Sequence, residues 1–248
     1  MTSCTVISKA LTVTITNSNM NASKICAPNA ITLTYSSSSS DVTICTSAIT
    51  VTLIIPGAKT VTVNAPSAAT ITVKAMNTSC MLINAPVLVT LNLGAPSTTY
   101  AYFNGLAPFV LSTSGPASSS GLMVVLPLSP AATITALSVS SSVVVQSASA
   151  AAVTIMAPLA NSTYAYAPSL ATAIIASPKA MAVGVFGPHA ASINVAAKNG
   201  TVVTLTVQDV ALAQIQNDCS MSGCTAFALG LTVTITDPST NASKEQAA

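Results

Sequence analysis

Short runs in which β-branched or aliphatic residues alternate with threonine recur along the chain. They include Thr12-Val13-Thr14-Ile15-Thr16, Thr32-Leu33-Thr34, Thr50-Val51-Thr52, Thr60-Val61-Thr62-Val63, Thr70-Ile71-Thr72-Val73, Thr133-Ile134-Thr135 and Thr204-Leu205-Thr206. A period of two is that of an extended strand, here with one apolar face and one face lined by hydroxyls. No segment carries a sustained helical period; residues 210–217 have a mildly helical composition and stay unassigned.

The strands keep a beat. From Thr12, comparable positions fall at Thr32, Thr50, Thr70, Thr90, Ser112, Thr133, Thr154, Thr172 and Ser192, in steps of 18 to 22 residues. The register returns at Thr232, 220 residues on, which is eleven steps of twenty. Prolines keep a related clock: Pro56, Pro66, Pro86 and Pro96 share a phase, and Pro158, Pro168, Pro178 and Pro188 are ten apart. Proline cannot donate to a central ladder and belongs at corners. Near-copies such as Asn64-Ala65-Pro66 with Asn84-Ala85-Pro86 fit a unit of strand, corner, strand, corner.

A fixed twenty-residue period predicts a solenoid. The expected fold is all-β, a parallel β-solenoid of about twenty residues per coil and about eleven coils. It forms a single domain over 1–248, with a less regular segment near 208–230. Each coil adds a strand to each of two facing sheets, about 4.8 Å above the last. The expected core is Val13, Ile15, Leu33, Val51, Leu53, Ile71, Val73, Leu91, Leu93, Ile134, Ile155, Ile175, Ile193 and Val195. The alternative is an antiparallel β-sandwich, which also uses short alternating strands.

Composition then limits function. Of 248 residues, 51% are hydrophobic and 5% charged: seven lysines, no arginine and five acids, for a net charge of +2. Without a lysine cluster there is nothing to pair with a phosphate backbone, so no nucleic-acid partner is expected. No apolar stretch reaches the roughly 18–20 residues of a spanning helix, so no membrane span is expected. Asp41, Asp209, Asp218, Asp237, Glu245 and His189 are too few and too scattered for acid–base or metal chemistry, so the expectation is no enzyme and no cofactor. There is no Gly-x-Ser-x-Gly elbow and no phosphate-binding glycine loop. Tyr100, Tyr102, Phe103 and Phe109, with Tyr164 and Tyr166, are candidates for an aromatic patch facing sugar or a lateral neighbour; packing in the core or corners is their other reading.

Six cysteines and the sequons at Asn21, Asn77, Asn161, Asn199 and Asn241 point to a secreted glycoprotein, extracellular or at the cell surface, with covalent glycans supplying solubility. The first residues lack the basic start and apolar core of a signal peptide, so the expectation is a removed signal or a section of a longer chain. Equivalent positions in adjacent coils lie within disulfide reach, so Cys4 with Cys26, or Cys26 with Cys45, are candidate staples. Cys219 and Cys224 are candidates to close a small loop.

The block Leu11–Lys24 recurs, with a few changes, as Leu231–Lys244. Two alike, uncapped ends suggest a head-to-tail homopolymer, or a slice of a longer array, in a filament or surface layer. The Thr-x-Thr strands resemble the ice-binding face of insect β-solenoid antifreeze proteins. That resemblance implies an alternative function, ice binding, carried by Thr12, Thr14, Thr32, Thr34, Thr50, Thr52, Thr70 and Thr72. The Ala-Pro and Ser-Pro dipeptides resemble those of hydroxyproline-rich wall glycoproteins of plants and algae, which implies additional O-linked sugar.

Overall fold

A computed structural model describes residues 3–17, 22–38, 41–68, 70–75, 79–85, 89–93, 99–114, 117, 121–188, 190, 192–197, 202–206, 212–217, 224–227, 233–236 and 244–246. Every described strand pairs in parallel with strands one coil before or after it, which excludes the antiparallel sandwich. Sheet A holds 13 strands: β1 (Ser3–Ile7), β3 (Ala22–Ala27), β5 (Asp41–Thr46), β7 (Thr60–Asn64), β9 (Cys80–Asn84), β11 (Thr99–Asn104), β13 (Leu122–Leu126), β15 (Ser142–Ser147), β17 (Ser162–Tyr166), β19 (Ala182–Phe186), β21 (Val202–Thr206), β23 (Cys224–Phe227) and β25 (Lys244–Gln246). Sheet B holds 12: β2 (Thr12–Asn17), β4 (Thr32–Ser37), β6 (Thr50–Ile55), β8 (Thr70–Ala75), β10 (Val89–Leu93), β12 (Phe109–Thr113), β14 (Ala131–Ala136), β16 (Ala152–Met156), β18 (Thr172–Ser177), β20 (Ser192–Ala197), β22 (Leu212–Asn217) and β24 (Val233–Thr236). The stack is thus slightly taller than the eleven coils expected. The segment at 210–217, mildly helical in composition, contributes strand β22, and the ladder runs on through the less regular region.

Register shows how the chain builds its core. One inward column of sheet B runs Ile15, Tyr35, Leu53, Val73, Leu91, Leu111, Ile134, Ile155, Ile175 and Val195, and continues by pairing to Ile215 and Ile235. From Tyr35 to Val195 these side chains are fully buried, and Ile15 packs against them from the end. Each full burial of a Leu or Ile contributes ~1.5–3 kcal/mol. The expected core residues with described side chains all face inward, though Ile15 only partly buried. Size alternates where it must: Phe103 and Phe109 stack across the interior at 5.2 Å between ring centroids, with Ala132 as the register partner of Phe109 and Ala101 two residues before Phe103 on its own strand.

Two corrections concern phase. Thr90, Thr133 and Thr154 stack in the column of Thr14, not that of Thr12. Ser112 stacks in the column of Thr16. Coils in sheet B differ in length, with partners 18 apart at Thr72 and Thr90 but 23 apart at Val110 and Thr133. A slip of two residues keeps a side chain on the same face, so alternation alone does not reveal it.

The corners share one construction. Pro56, Pro66, Pro158, Pro168 and Pro178 each sit second in a four-residue turn closed by a backbone hydrogen bond, from Ala58 N–H to Ile55 O, Ala68 to Ala65, Ala160 to Ala157, Leu170 to Ala167 and Ala180 to Ser177, at 3.0–3.3 Å. Proline presets φ for that position. The fourth residue turns inward and is buried, which favours alanine. At two corners without a proline in that place, a buried hydroxyl substitutes. Thr46 Oγ1 accepts from Ala48 N–H and donates to Ala27 O in the previous coil, and Ser147 Oγ accepts from Ala150 N–H and donates to Leu126 O. At the turn after β11, glycine is required, because a Cβ on Gly105 would strike the Ala85 carbonyl and the Phe103 ring.

Candidate functional site

The outer face of sheet B carries the threonines. Thr12, Thr32, Thr50 and Thr70 stack in one column and Thr14, Thr34, Thr52 and Thr72 in the next, all eight outward and exposed or half-buried. With the phase corrected, the second column is longer than the sequence suggests. It continues through Thr90, Val110, Thr133 and Thr154 before Ile174. Valine has threonine's shape, so the column is nearly uniform over eight coils. Leu11, Ile31 and Ile49, each just before a residue of the first column, are exposed apolar side chains, and Lys74 stands exposed in the column of Thr16, Ser36 and Ile54. Two of the Thr-x-Thr runs, at Thr60 and Thr204, lie instead on sheet A.

Sheet A presents a different surface. Tyr100, Tyr102, Tyr164 and Tyr166 point outward, whereas Phe103 and Phe109 are core, so the six aromatics divide between the two expected fates. Tyr100 and Tyr164 share a column with Met123 and Val144 between them; Tyr102 and Tyr166 share the next, with Val125 and Gln146 between. Phe186 follows Tyr166 and stacks on it at 4.4 Å and 7°. The Tyr164 ring lies over Gly184, where an added Cβ would come within 2.6 Å of Tyr164 Cδ1. No outward residue of β11–β19 is charged.

A third outward column runs along the other edge of sheet A: Ile7, Cys26, Cys45, Asn64, Asn84 and Asn104. Asn84 Nδ2 donates to Asn64 Oδ1 at 3.2 Å, which links two neighbouring amides of the column. Cys26 and Cys45 are direct register partners, half-exposed, and both are free thiols. Burial, the neighbouring Cys26 and its hydrogen bond hold the Cys45 thiol above its ordinary pKa, against an opposing pull from Lys24. Cys4 pairs with Ser23, three positions from Cys26, which corrects the Cys4–Cys26 staple. Cys224 lies in β23 opposite Val203, and Cys219 is outside the described residues. Cys80, absent from the sequence-based candidates, is an exposed free thiol whose partners are Thr60 and Tyr100.

Of the sequons, Asn161 is described. It is exposed at the corner before β17, with its N–H bonded to Ser141 O at 2.9 Å and its carbonyl accepting from Met181 N–H at 2.7 Å. The sequon hydroxyl, Thr163 Oγ1, is buried and bonded to Ser177 Oγ at 2.7 Å. Asn21, Asn77, Asn199 and Asn241 lie outside the described residues, as do His189, Asp209, Asp218 and Asp237. Among the described residues no three His, Cys, Asp or Glu side chains gather where a metal ion would sit, and no helix is long and apolar enough to cross a membrane. No family model, curated protein or solved structure matches the chain. Among the described residues, the outward features are the threonine face of sheet B, the aromatic face of sheet A, and the column that joins the thiol pair to the asparagines.

Proposed function

We propose that this chain is a non-enzymatic, extracellular structural glycoprotein whose rods join head to tail into a filament or surface layer. One observation carries the reading. Followed strand by strand, the column of Thr14 arrives at Thr234, so Val13-Thr14-Ile15-Thr16 on β2 and Val233-Thr234-Ile235-Thr236 on β24 hold the same lateral position with the same residues. A translation along the stack lays one edge on the other in matching register, which is a heterologous contact that propagates. An open parallel edge presents unpaired N–H and C=O groups to receive it. In sheet A the return slips by two residues, Lys24 reaching the column of Gln246, and a slip of two keeps faces matched.

Glycans fit as covalent partners at exposed corners such as Asn161. The burial of Thr163 requires that sugar be added before this coil closes. Negative-stain microscopy of the purified chain tests assembly: rods of uniform width that lengthen with concentration are expected, and discrete particles of one length at high concentration overturn the reading. Intact mass before and after glycosidase tests the glycans, and an unmodified mass near 24.6 kDa from a eukaryotic secretory host would rule them out.

The threonine column favours a second reading, ice binding. Methyl and hydroxyl groups repeat at about 7 Å along each strand and about 4.8 Å between coils on an open face. Thermal hysteresis in dilute solution is the readout, and Thr50→Tyr is expected to abolish it with stability within ~0.5 kcal/mol, because Thr50 is exposed. Absence of hysteresis in the unmodified chain leaves the structural reading alone.

A further inference from the structure

We propose that Cys26 and Cys45 form a two-thiolate site for one soft, thiophilic d10 cation, with Cu(I) as the matching ion. The two residues face each other across adjacent parallel strands, β3 and β5, and both stand on the outward face, within reach of solvent. In-register parallel strands aim both Cα–Cβ bonds the same way, so the Cβ atoms stay about one strand spacing, ~4.8 Å, apart. Oxidation to a disulfide would use the same pair, since adjacent strands lie within its reach, so the site exists in the reduced chain. The two thiols are already close enough to hydrogen-bond, so a turn about χ1 lets one ion bridge them while the strands stay in register.

The surrounding residues select the kind of ion. Ile7 and Asn64 flank the pair in its column, and Thr43 and Lys24 lie beside it on the same face. None is a carboxylate, imidazole or further thiol, so the four ligands of a structural zinc are not assembled. Soft thiolates with no third donor suit Cu(I). Binding releases the two thiol protons to solvent and changes no oxidation state when the ion arrives as Cu(I). The resulting bis-thiolate complex carries one negative charge, and the Lys24 ammonium is placed to offset it. Cys80 shares none of this arrangement, since its register partners are Thr60 and Tyr100, and it serves as the internal control.

The test uses the full chain, reduced with a phosphine and kept free of oxygen, titrated with Cu(I) against a chromophoric chelator such as bicinchoninate. The expected result is one equivalent of Cu(I) withdrawn from the chelator. Cys26→Ser and Cys45→Ser should each weaken binding by more than roughly a hundredfold, beyond the cost of losing an outer-shell partner. Cys80→Ser should leave it unchanged. Cys26→Ala and Cys45→Ala are run alongside with circular dichroism, so that a folding defect is separated from a lost ligand. The proposal is overturned if the wild-type chain withdraws no copper, if the folded single variants bind as it does, or if a Cys26–Cys45 disulfide survives the phosphine.

Discussion

Tyr35 is the residue at which this core breaks its own rule. It occupies an otherwise aliphatic column between Ile15 and Leu53, fully buried, and its hydroxyl has no hydrogen-bond partner. A buried hydroxyl without a partner costs about 1–3 kcal/mol, so Tyr35→Phe should raise the unfolding free energy by about 1 kcal/mol. The denaturant midpoint reads this directly. Cys45 sets a second expectation at this scale. Its thiol pKa is raised in the folded chain, first by burial and then by Cys26, so the protonated thiol stabilises the fold. That contribution is present below the thiol's ordinary range and lost as pH rises through the raised value. Thermal midpoints should therefore fall at alkaline pH in the wild type and fall less in Cys45→Ala. Residues of this sort were hard to read from sequence: Tyr35 counts as one more strand former, and its orphaned hydroxyl exists only once the opposite wall is in place.

At the level of the element, the corner is the unit that sets coil length. The turn with proline second and a buried apolar residue fourth recurs with the same closing hydrogen bond at Ala160, Leu170 and Ala180. Proline acts on the unfolded chain as well as on the turn, so Pro158→Ala should cost ~0.4–1 kcal/mol. Ala160→Leu should cost more, ~1–3 kcal/mol, because its site is fully buried and a larger side chain must displace its neighbours. Equilibrium unfolding of the two variants side by side checks the order. The prolines at 56, 66, 158, 168 and 178 announced their corners in the sequence. The corners built on Thr46 and Ser147 did not, because a hydroxyl that replaces proline looks like any other surface serine or threonine until its partners in the neighbouring coil are known. The same blindness shifted Thr90, Thr133 and Thr154 by two positions: threonine stands on the outer face at both.

For the molecule as a whole, the twenty-residue beat made the parallel solenoid legible, because few other folds sustain such a period. The faces were only half legible. The eight early threonines stack as expected, but the length of their second column, and the separation of outward tyrosines from inward phenylalanines, depend on register. Since each coil touches only its neighbours, damage should stay local. Ile155→Ala in β16 should cost ~2–5 kcal/mol. Hydrogen exchange should quicken most in β14 and β18, which pair with it, and least in the distant β4 and β6. Equal acceleration everywhere would mean the rod folds as one cooperative block.

The ladder bonds that join coil to coil all lie close to the direction in which the strands stack. Pulled from its two ends, the rod is therefore a chain of links in series, and it yields at the load that opens one link however many it has. Each link that opens frees one coil of about twenty residues, which pays out at most ~70 Å of slack. In a force-extension trace the molecule should give a sawtooth of near-equal teeth, while a load applied across the strands meets many coils at once and is resisted in parallel. Such a body is compliant along its length and stiff across it, a ratchet that lengthens by counted steps before it breaks.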